Sequence, residues 1–162
     1  MRSNEELVKL LIENKLHITT CESCTGGLIA NQIISISGSS AILNEAYITY
    51  APNSKVDLVG VNKKTIDKYG VVSSEVAFEM AKCAAKKANA ELAISATGVA
   101  GPTGGDKINP VGTIWFGFQL MDKTFTVKKV FINKSRNQVR QLGAQFAIRY
   151  MLNLIKNELK MI

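Results

Sequence analysis

Segments with helical periodicity alternate with short apolar segments over most of the chain, and this order limits the possible folds more than any other feature. The pattern predicts helices over 5–14 (with Asn4 as N-cap), 26–35, 52–59, 63–69, 73–89 and from 135 onward, and strands over 16–20, 43–50, 92–97, 112–120 and 125–132. Helices and strands alternate in the first half, whereas two strands joined by a tight turn precede the last helix. We therefore predict an α/β fold, a single-domain three-layer α/β/α sandwich with a mixed sheet.

The turn between the first predicted strand and the next helix reads Thr20-Cys21-Glu22-Ser23-Cys24-Thr25-Gly26-Gly27. A small polar side chain at such a junction lies where unpaired backbone N–H groups converge, and these groups favour a bound phosphate or a developing oxyanion. Ser23 is therefore a candidate nucleophile, and the two glycines would let a ligand approach the backbone closely. The alternative is that Ser23 only caps the helix.

A glycine-rich loop, residues 98–105, follows the apolar segment 92–97, which has the character of a central strand. Ligands in open α/β sheets bind outside the carboxyl ends of the strands. The loop matches neither the P-loop nor the G-x-G-x-x-G pattern. Its glycines Gly98, Gly101, Gly104 and Gly105 could present N–H groups to an anion, or the loop could be a simple flexible turn.

Tyr50 and Lys55 lie five residues apart across a strand-to-helix junction that contains Pro52. A lysine whose pKa is lowered by burial can serve as the general base for a serine, and a tyrosine can position the proton. The alternative is an ordinary solvated lysine, because charged side chains are mostly exposed.

The formal net charge is +7, but lysines and arginines are scattered along the chain and no aromatic stacking motif accompanies them. We expect an anionic small-molecule ligand rather than a nucleic acid. No apolar run is as long as a membrane span, and the first residues lack the apolar core of a signal peptide. We therefore expect a cytoplasmic protein with no membrane partner.

The three cysteines suit a reducing compartment better than a disulfide framework. Cys21 and Cys24 form a C-x-x-C at the strand-to-helix turn, so a thiol redox function is an alternative hypothesis. A structural zinc site needs four ligands and the sequence has no second pair, so we expect no metal. The only histidine, His17, lies within a predicted strand, and we expect it to be packed or partly exposed rather than catalytic.

Six sequence motifs together resemble the CinA C-terminal domain family, whose characterised stand-alone members are nicotinamide-nucleotide amidohydrolases. In chain order they are E-S-C-T-G-G at 22–27, G-S-S at 38–40, Y-A-P-N-S-K at 50–55, G-V-V-S at 70–73, T-G-V-A-G-P-T-G-G at 97–105 and P-V-G-T at 110–113. The resemblance extends over nearly the whole chain. Position 21, commonly Ala in this family, is Cys here, so the C-x-x-C is interpreted as incidental.

The resemblance implies a three-layer α/β/α fold and deamidation of nicotinamide mononucleotide to nicotinate mononucleotide and ammonia, without a cofactor. It implies Ser23 as nucleophile with Lys55 and Tyr50 as its partners. The substrate-binding residues that we expect are Thr25, Gly26, Gly27, Ser40, Gly98, Gly101, Gly104, Gly105, Arg136 and Arg140. Arg136 and Arg140 lie four apart on one helix face and could hold the substrate phosphate.

We also expect a homo-oligomer. A catalytically idle nucleotide-binding or interaction domain of the same fold is the alternative.

Overall fold

The computed structural model describes residues 2–160 and contains a five-stranded sheet flanked by helices. The elements are α1 (Ser3–Asn14), β1 (Ile18–Glu22), α2 (Leu28–Ile34), β2 (Tyr47–Ile48), α3 (Pro52–Ser54), α4 (Lys63–Tyr69), α5 (Ser74–Ala88), β3 (Leu92–Gly98), β4 (Thr113–Leu120), β5 (Lys123–Val130) and α6 (Arg136–Leu159). A 3₁₀ turn (Ser39–Ala41) precedes β2, and α3 continues as one π-helical turn (Lys55–Val59). The strand order is β2-β1-β3-β4-β5; β1 is parallel to β2 and β3, and the other pairs are antiparallel. Within residues 2–160, no helix combines the length and the apolar character that crossing a membrane requires.

Helices cover both faces of the sheet. On one face α1, α2 and α6 enclose the larger core, to which Leu11, Phe116 and Ile148 belong. On the other face α5 packs across β1, β3 and β4, with α4 beside it. Successive strand residues point to opposite faces, so Ile94 joins the larger core while its neighbour Ala93 packs against α5. The predicted sandwich with a mixed sheet is confirmed.

Small residues bring α5 close to the centre of the sheet. Ser95 on β3 donates a 2.6 Å hydrogen bond to the carbonyl of Ala77 on α5, and the N–H of Gly117 on β4 donates to the Ser95 hydroxyl over 3.1 Å. A Cβ on Gly117 would collide with the Ala77 carbonyl oxygen. The Ala-rich face of α5 and Gly117 therefore set the distance between α5 and the sheet.

Two boundaries near the Ser23 turn differ from prediction. β1 occupies Ile18–Glu22 rather than 16–20, since its last residues are fully buried and paired with β3. α2 begins at Leu28 rather than at 26, because Gly26 and Gly27 adopt the left-handed region with φ of 58° and 96°. The turn between β1 and α2 is therefore longer than the sequence predicted.

Two further predictions, for the N-cap of α1 and for the length of β2, were wrong in detail. Arg2, not Asn4, is the N-cap of α1, and the Asn4 side chain instead donates a 3.1 Å hydrogen bond to the Gln32 carbonyl. The predicted strand 43–50 shortens to Tyr47–Ile48, since β2 is an edge strand with β1 as its neighbour on one side.

Candidate active site

Several chain segments meet at one edge of the sheet. β1, β2 and β3 are parallel, so Ser23, Tyr50 and the loop 98–105 all follow strands that end at this edge. Val130 at the end of β5 pairs with Thr113 at the start of β4, so α6 also begins here. Open α/β proteins bind their ligands outside the carboxyl ends of the strands, which makes this edge the candidate site.

Ser23 and Lys55 lie side by side beneath this edge. The Lys55 Nζ is 3.1 Å from the Ser23 Oγ and donates a 2.6 Å hydrogen bond to the carbonyl of Thr49. The backbone N–H of Ser23 donates to the Ala96 carbonyl over 2.9 Å, which holds residue 23 against β3. An amine at this distance can take the proton of a serine hydroxyl. The structure thus brings together two residues, 32 positions apart, that the sequence analysis assigned to catalysis.

The environment of Lys55 favours a neutral amine. The residue is fully buried, and burial lowers the pKa of its ammonium group because the charged form loses its hydration. Nearby Cys21 and Cys24 oppose the shift only in their thiolate forms. Lys55 is the first residue of the π-helical turn, a geometry that is frequent at functional sites. The solvated-lysine alternative is therefore excluded for this residue.

Tyr50 and Arg136 lie together at the outer side of the site. The Tyr50 ring is 62% exposed, and its hydroxyl accepts a 2.9 Å hydrogen bond from Arg136 Nη2. Arg136 Nη1 donates to the carbonyl of Gly101 over 2.8 Å. It is the backbone carbonyl of Tyr50, not its phenol, that faces Ser23, at 3.5 Å from the Oγ. The phenol is therefore placed to position Arg136 rather than to receive the serine proton.

A cavity of about 180 Å³ opens beside Ser23. Its lining residues are Ser23, Cys24, Tyr50, Val71, Val72, Thr97, Gly98, Ala100 and Arg136. The cavity is smaller than typical ligand pockets of about 300–1,000 Å³, so it suits one end of a ligand whose remainder lies outside. No role was predicted for Thr97, Val71 or Val72, although Thr97 directly precedes the glycine loop and both valines lie in the G-V-V-S motif.

The N-terminus of α2 is already occupied by a protein carboxylate, which the sequence analysis missed. The fully buried Glu22 accepts hydrogen bonds from the N–H groups of Gly27 (3.1 Å), Ile29 (3.0 Å) and Ala30 (2.9 Å). A carboxylate at this position satisfies the orphan donors and complements the helix dipole. The N–H groups at this helix end, which we expected to favour a bound phosphate or a developing oxyanion, therefore bind Glu22 instead. A Glu directly before the turn was the sequence signal for this arrangement.

Two N–H groups of the turn, within residues 2–160, are not used by the protein itself; Cys24 lines the cavity and Thr25 is fully buried. The N–H of Gly26 donates to the Ser23 carbonyl over 3.1 Å, and that of Gly27 is bound to Glu22. Within residues 2–160, the N–H groups of Cys24 and Thr25 have no acceptor. In a strand–turn–helix arrangement, the N–H that follows the nucleophile is the usual oxyanion donor. Two consecutive free N–H groups can form an anion-binding concavity.

Arg140 contacts the turn from α6 and does not line the cavity. Its Nε donates to the carbonyl of Cys24 over 3.0 Å, and its Nη2 donates to the carbonyl of Thr25 over 3.3 Å. Arg136, one helical turn earlier, lines the cavity. The two arginines that the sequence analysis paired as phosphate ligands are therefore bound to different partners.

Packing requires three of the four glycines of the loop 98–105. A Cβ on Gly98 would collide with the Thr113 carbonyl, and one on Gly101 would collide with the Val111 side chain. A Cβ on Gly105 would lie 2.5 Å from the Val111 nitrogen. Gly98 lines the cavity and Gly101 supplies the carbonyl bound by Arg136, whereas Gly104 and Gly105 lie outside the cavity lining.

Ser40 lies away from the site within this chain. It is exposed on the 3₁₀ turn, two residues before Ile42, whose carbonyl accepts from the N–H of Ile18 at the start of β1. Ser23 follows the other end of the same strand. The structure therefore does not bring Ser40 to the predicted substrate site.

The cysteine pair lacks the features of a redox centre. Cys21 packs in the cluster under α5, whereas Cys24 packs in the larger core on the other face of the sheet. Burial raises the pKa of the Cys21 thiol to about 11 and that of Cys24 to about 12, so both resist forming the reactive thiolate. Within residues 2–160, no three His, Cys, Asp or Glu side chains form a metal-ligating group.

Comparison with known proteins identifies relatives over almost the whole chain. The model of the CinA C-terminal domain family matches residues 1–155. A CinA-like protein from Kosmotoga olearia is 43% identical over 91% of this chain and 35% of its own length. A putative competence-damage inducible protein from Alkaliphilus oremlandii is 43% identical over 96% of this chain and 37% of its own length. The chain thus spans about a third of these curated relatives.

Solved structures with the same fold support the same relationship. A competence-damaged protein (CinA) superfamily protein from Escherichia coli superposes with a TM-score of 0.89 at 31% identity, covering 94% of this chain and 88% of that one. One from Klebsiella pneumoniae superposes with a TM-score of 0.91 at 26% identity, covering 96% of each chain.

Proposed function

The chain belongs to the CinA C-terminal domain family, and on this premise we propose that it is a serine–lysine amidohydrolase that converts nicotinamide mononucleotide to nicotinate mononucleotide and ammonia. The observation that carries the proposal is the buried Lys55 amine 3.1 Å from the Ser23 hydroxyl, beside a cavity at the carboxyl ends of the strands. The reaction and its substrate come from the family resemblance; the geometry supports the chemistry that such a reaction requires.

The first half of the proposed reaction forms an acyl-enzyme. Neutral Lys55 takes the Ser23 proton as the Oγ bonds to the carboxamide carbon, and the carbonyl electron pair moves onto the oxygen. The N–H groups of Cys24 and Thr25 stabilise this oxyanion, at a few kcal/mol per donor. When the tetrahedral intermediate collapses, the C–N bond breaks and the Lys55 ammonium returns its proton to the departing ammonia.

The second half repeats the proton transfers with water. Lys55 removes a proton from the water that attacks the ester carbon, and the same N–H groups stabilise the second oxyanion. Collapse breaks the bond to Ser23, whose oxygen recovers the proton from Lys55, and nicotinate mononucleotide leaves as the carboxylate. Lys55 lies within hydrogen-bond distance of Ser23, and Ser23 and Cys24 line the same cavity.

Arg136 is the proposed ligand of the substrate phosphate. The cavity suits the pyridine carboxamide, so the ribose phosphate lies outside it, where the exposed Arg136 is held by Tyr50 and the Gly101 carbonyl. A guanidinium matches phosphate geometry and can bind it through two N–H groups.

Arg136→Ala is expected to raise the KM for the nucleotide by about 10- to 100-fold with a smaller change in kcat, since a hydrogen bond to a charged group contributes about 1.5–3 kcal/mol. Steady-state ammonia release at varied nucleotide concentration measures this. Nicotinamide riboside is the matched substrate: it lacks the phosphate, so its kcat/KM should be low with the wild type and unchanged by the substitution. An equal loss for nucleotide and riboside would remove Arg136 from phosphate binding.

Cys21→Ala is expected to leave ammonia release within about twofold of the wild type, because a thiol with a raised pKa contributes no thiolate at neutral pH. The substitution breaks the C-x-x-C without changing the turn backbone. Loss of activity in a variant with an unchanged melting temperature would revive the thiol redox alternative.

The direct test of the proposed function is ammonia release from nicotinamide mononucleotide in the presence of a chelator. Release that depends on Ser23 supports the amidohydrolase. Binding of the nucleotide without release would instead favour a catalytically idle nucleotide-binding domain of the same fold.

A further inference from the structure

Arg140 makes hydrogen bonds to the protein backbone that a residue serving only to bind substrate would not need. Its Nε and Nη2 donate to the carbonyls of two successive residues, Cys24 and Thr25, and its Nη1 donates to Asn137 Oδ1 over 3.4 Å. Within residues 2–160, no carboxylate lies within 4.0 Å of the guanidinium. A positive charge without an anionic partner is therefore directed at the backbone that follows the candidate nucleophile.

The contact determines the orientation of one peptide group. In a trans peptide the C=O and the N–H point in opposite directions, so the bond from Arg140 to the Cys24 carbonyl turns the N–H of Thr25 away from the guanidinium. The preceding peptide is held separately, because the Ser23 carbonyl accepts from the N–H of Gly26. Both N–H groups that lack an acceptor thus belong to peptides whose carbonyls are held by the protein.

The local sequence is adapted to this arginine. Gly26 has φ of 58°, and a Cβ there would lie 3.2 Å from Arg140 Nη2, so a side chain at 26 would press against the guanidinium. On α6, a Cβ on the buried Gly143 would lie 2.6 Å from the Ile114 side chain and 3.8 Å from Thr25. Gly26 therefore leaves room for the guanidinium beside the turn, and Gly143 lets α6 pack closely against β4.

We propose that Arg140 is a positioning residue that locks the Cys24–Thr25 peptide with its N–H facing the cavity, and so forms the second donor of the oxyanion site. This inference rests on the proposed function and deepens it. A flip of this peptide would present a carbonyl oxygen to the developing oxyanion and would break the hydrogen bond to Arg140. The guanidinium makes that flip unfavourable before substrate arrives, and its charge adds to the field that stabilises the oxyanion.

The test separates positioning from phosphate binding by kinetics. Arg140→Ala is expected to lower kcat for ammonia release by about 100-fold, the effect of removing one oxyanion donor, while KM changes by less than about threefold. Arg136→Ala is expected instead to raise KM, with a smaller change in kcat. Arg149→Ala, an exposed arginine on the same helix, is the matched control and should behave as the wild type. A raised KM with unchanged kcat in Arg140→Ala would overturn the proposal.

Two further measurements distinguish a positioning role from a general loss of structure. Added guanidinium ion should partly restore kcat in Arg140→Ala and not in Arg136→Ala. The lysine of Arg140→Lys can reach one carbonyl at a time, so the kcat of this variant should lie between those of Arg140→Ala and the wild type. Pyridine-3-boronic acid, which forms a tetrahedral adduct with a nucleophilic serine, should bind Arg140→Ala about 100-fold more weakly, while the product nicotinate mononucleotide binds equally. If Arg140→Ala matches the wild type in kcat and in binding of the boronic acid, this inference fails but the proposed function stands. If the wild type itself neither releases ammonia nor forms the adduct, the proposed function fails and this inference fails with it.

Discussion

Ser23→Ala is expected to abolish ammonia release, by roughly 10⁶-fold in kcat if the residue acts as other serine nucleophiles do. The substitution removes the oxygen that would form the acyl-enzyme but keeps the backbone hydrogen bond from residue 23 to Ala96. Lys55 keeps its hydrogen bond to the Thr49 carbonyl, so the site retains its shape. The measurement is ammonia release beside nucleotide binding, and binding should persist in the variant.

The control for this variant is Ser37→Ala, an exposed serine in the loop after α2, which should retain full activity. A melting temperature close to the wild type would show that Ser23→Ala acts on chemistry and not on folding. Ammonia release that survives in Ser23→Ala would remove the serine from the nucleophile role, and the acyl-enzyme mechanism with it.

The order of elements could be predicted from sequence because hydrophobic period and turn residues are local signals. α4 at Lys63–Tyr69 and the stop at Gly70 agree with the prediction, since a short helix ended by glycine depends on neighbouring residues alone. The family and the α/β sandwich were also predicted correctly. The boundaries that moved, at β1, α2, β2 and β5, depend on strand pairing and packing, which are properties of the whole fold.

The site was only partly predictable, because burial and hydrogen-bond partners are not local. By composition Lys55 is an ordinary lysine, and its burial under the β2–α3 junction makes it a candidate base. Glu22 was recognised only as part of a motif, yet its carboxylate occupies the helix end where a bound phosphate or a developing oxyanion was expected. Arg136 and Arg140 share a helix face, as predicted, but contacts with elements distant in sequence give them different partners.

The pH dependence of the wild type provides the second large effect. Because burial lowers the pKa of Lys55, the neutral amine that the reaction needs is present at a lower pH than for an ordinary lysine, whose pKa is 10.5. We expect kcat/KM to rise with pH and to level off above this lowered pKa. Unfolding restores the ordinary value, so the unfolded Lys55 amine binds more protons between its two pKa values, and the contribution of Lys55 to the free energy of unfolding rises with pH across that window. The buried thiols of Cys21 and Cys24, whose pKa values are raised, contribute with the opposite sign.

Lys55→Met is therefore expected to lower kcat/KM by about 10²- to 10⁴-fold and to remove the acid limb from the pH profile, since methionine fills similar space but accepts no proton. The same substitution removes the Lys55 contribution to the pH dependence of the free energy of unfolding, because no buried amine remains to be charged. Lys63→Met, at an exposed lysine paired with Asp67, is the matched control and should change neither profile. If Lys55→Met keeps wild-type turnover and the same acid limb, another group is the base, and the Ser23–Lys55 contact of 3.1 Å is structural rather than catalytic.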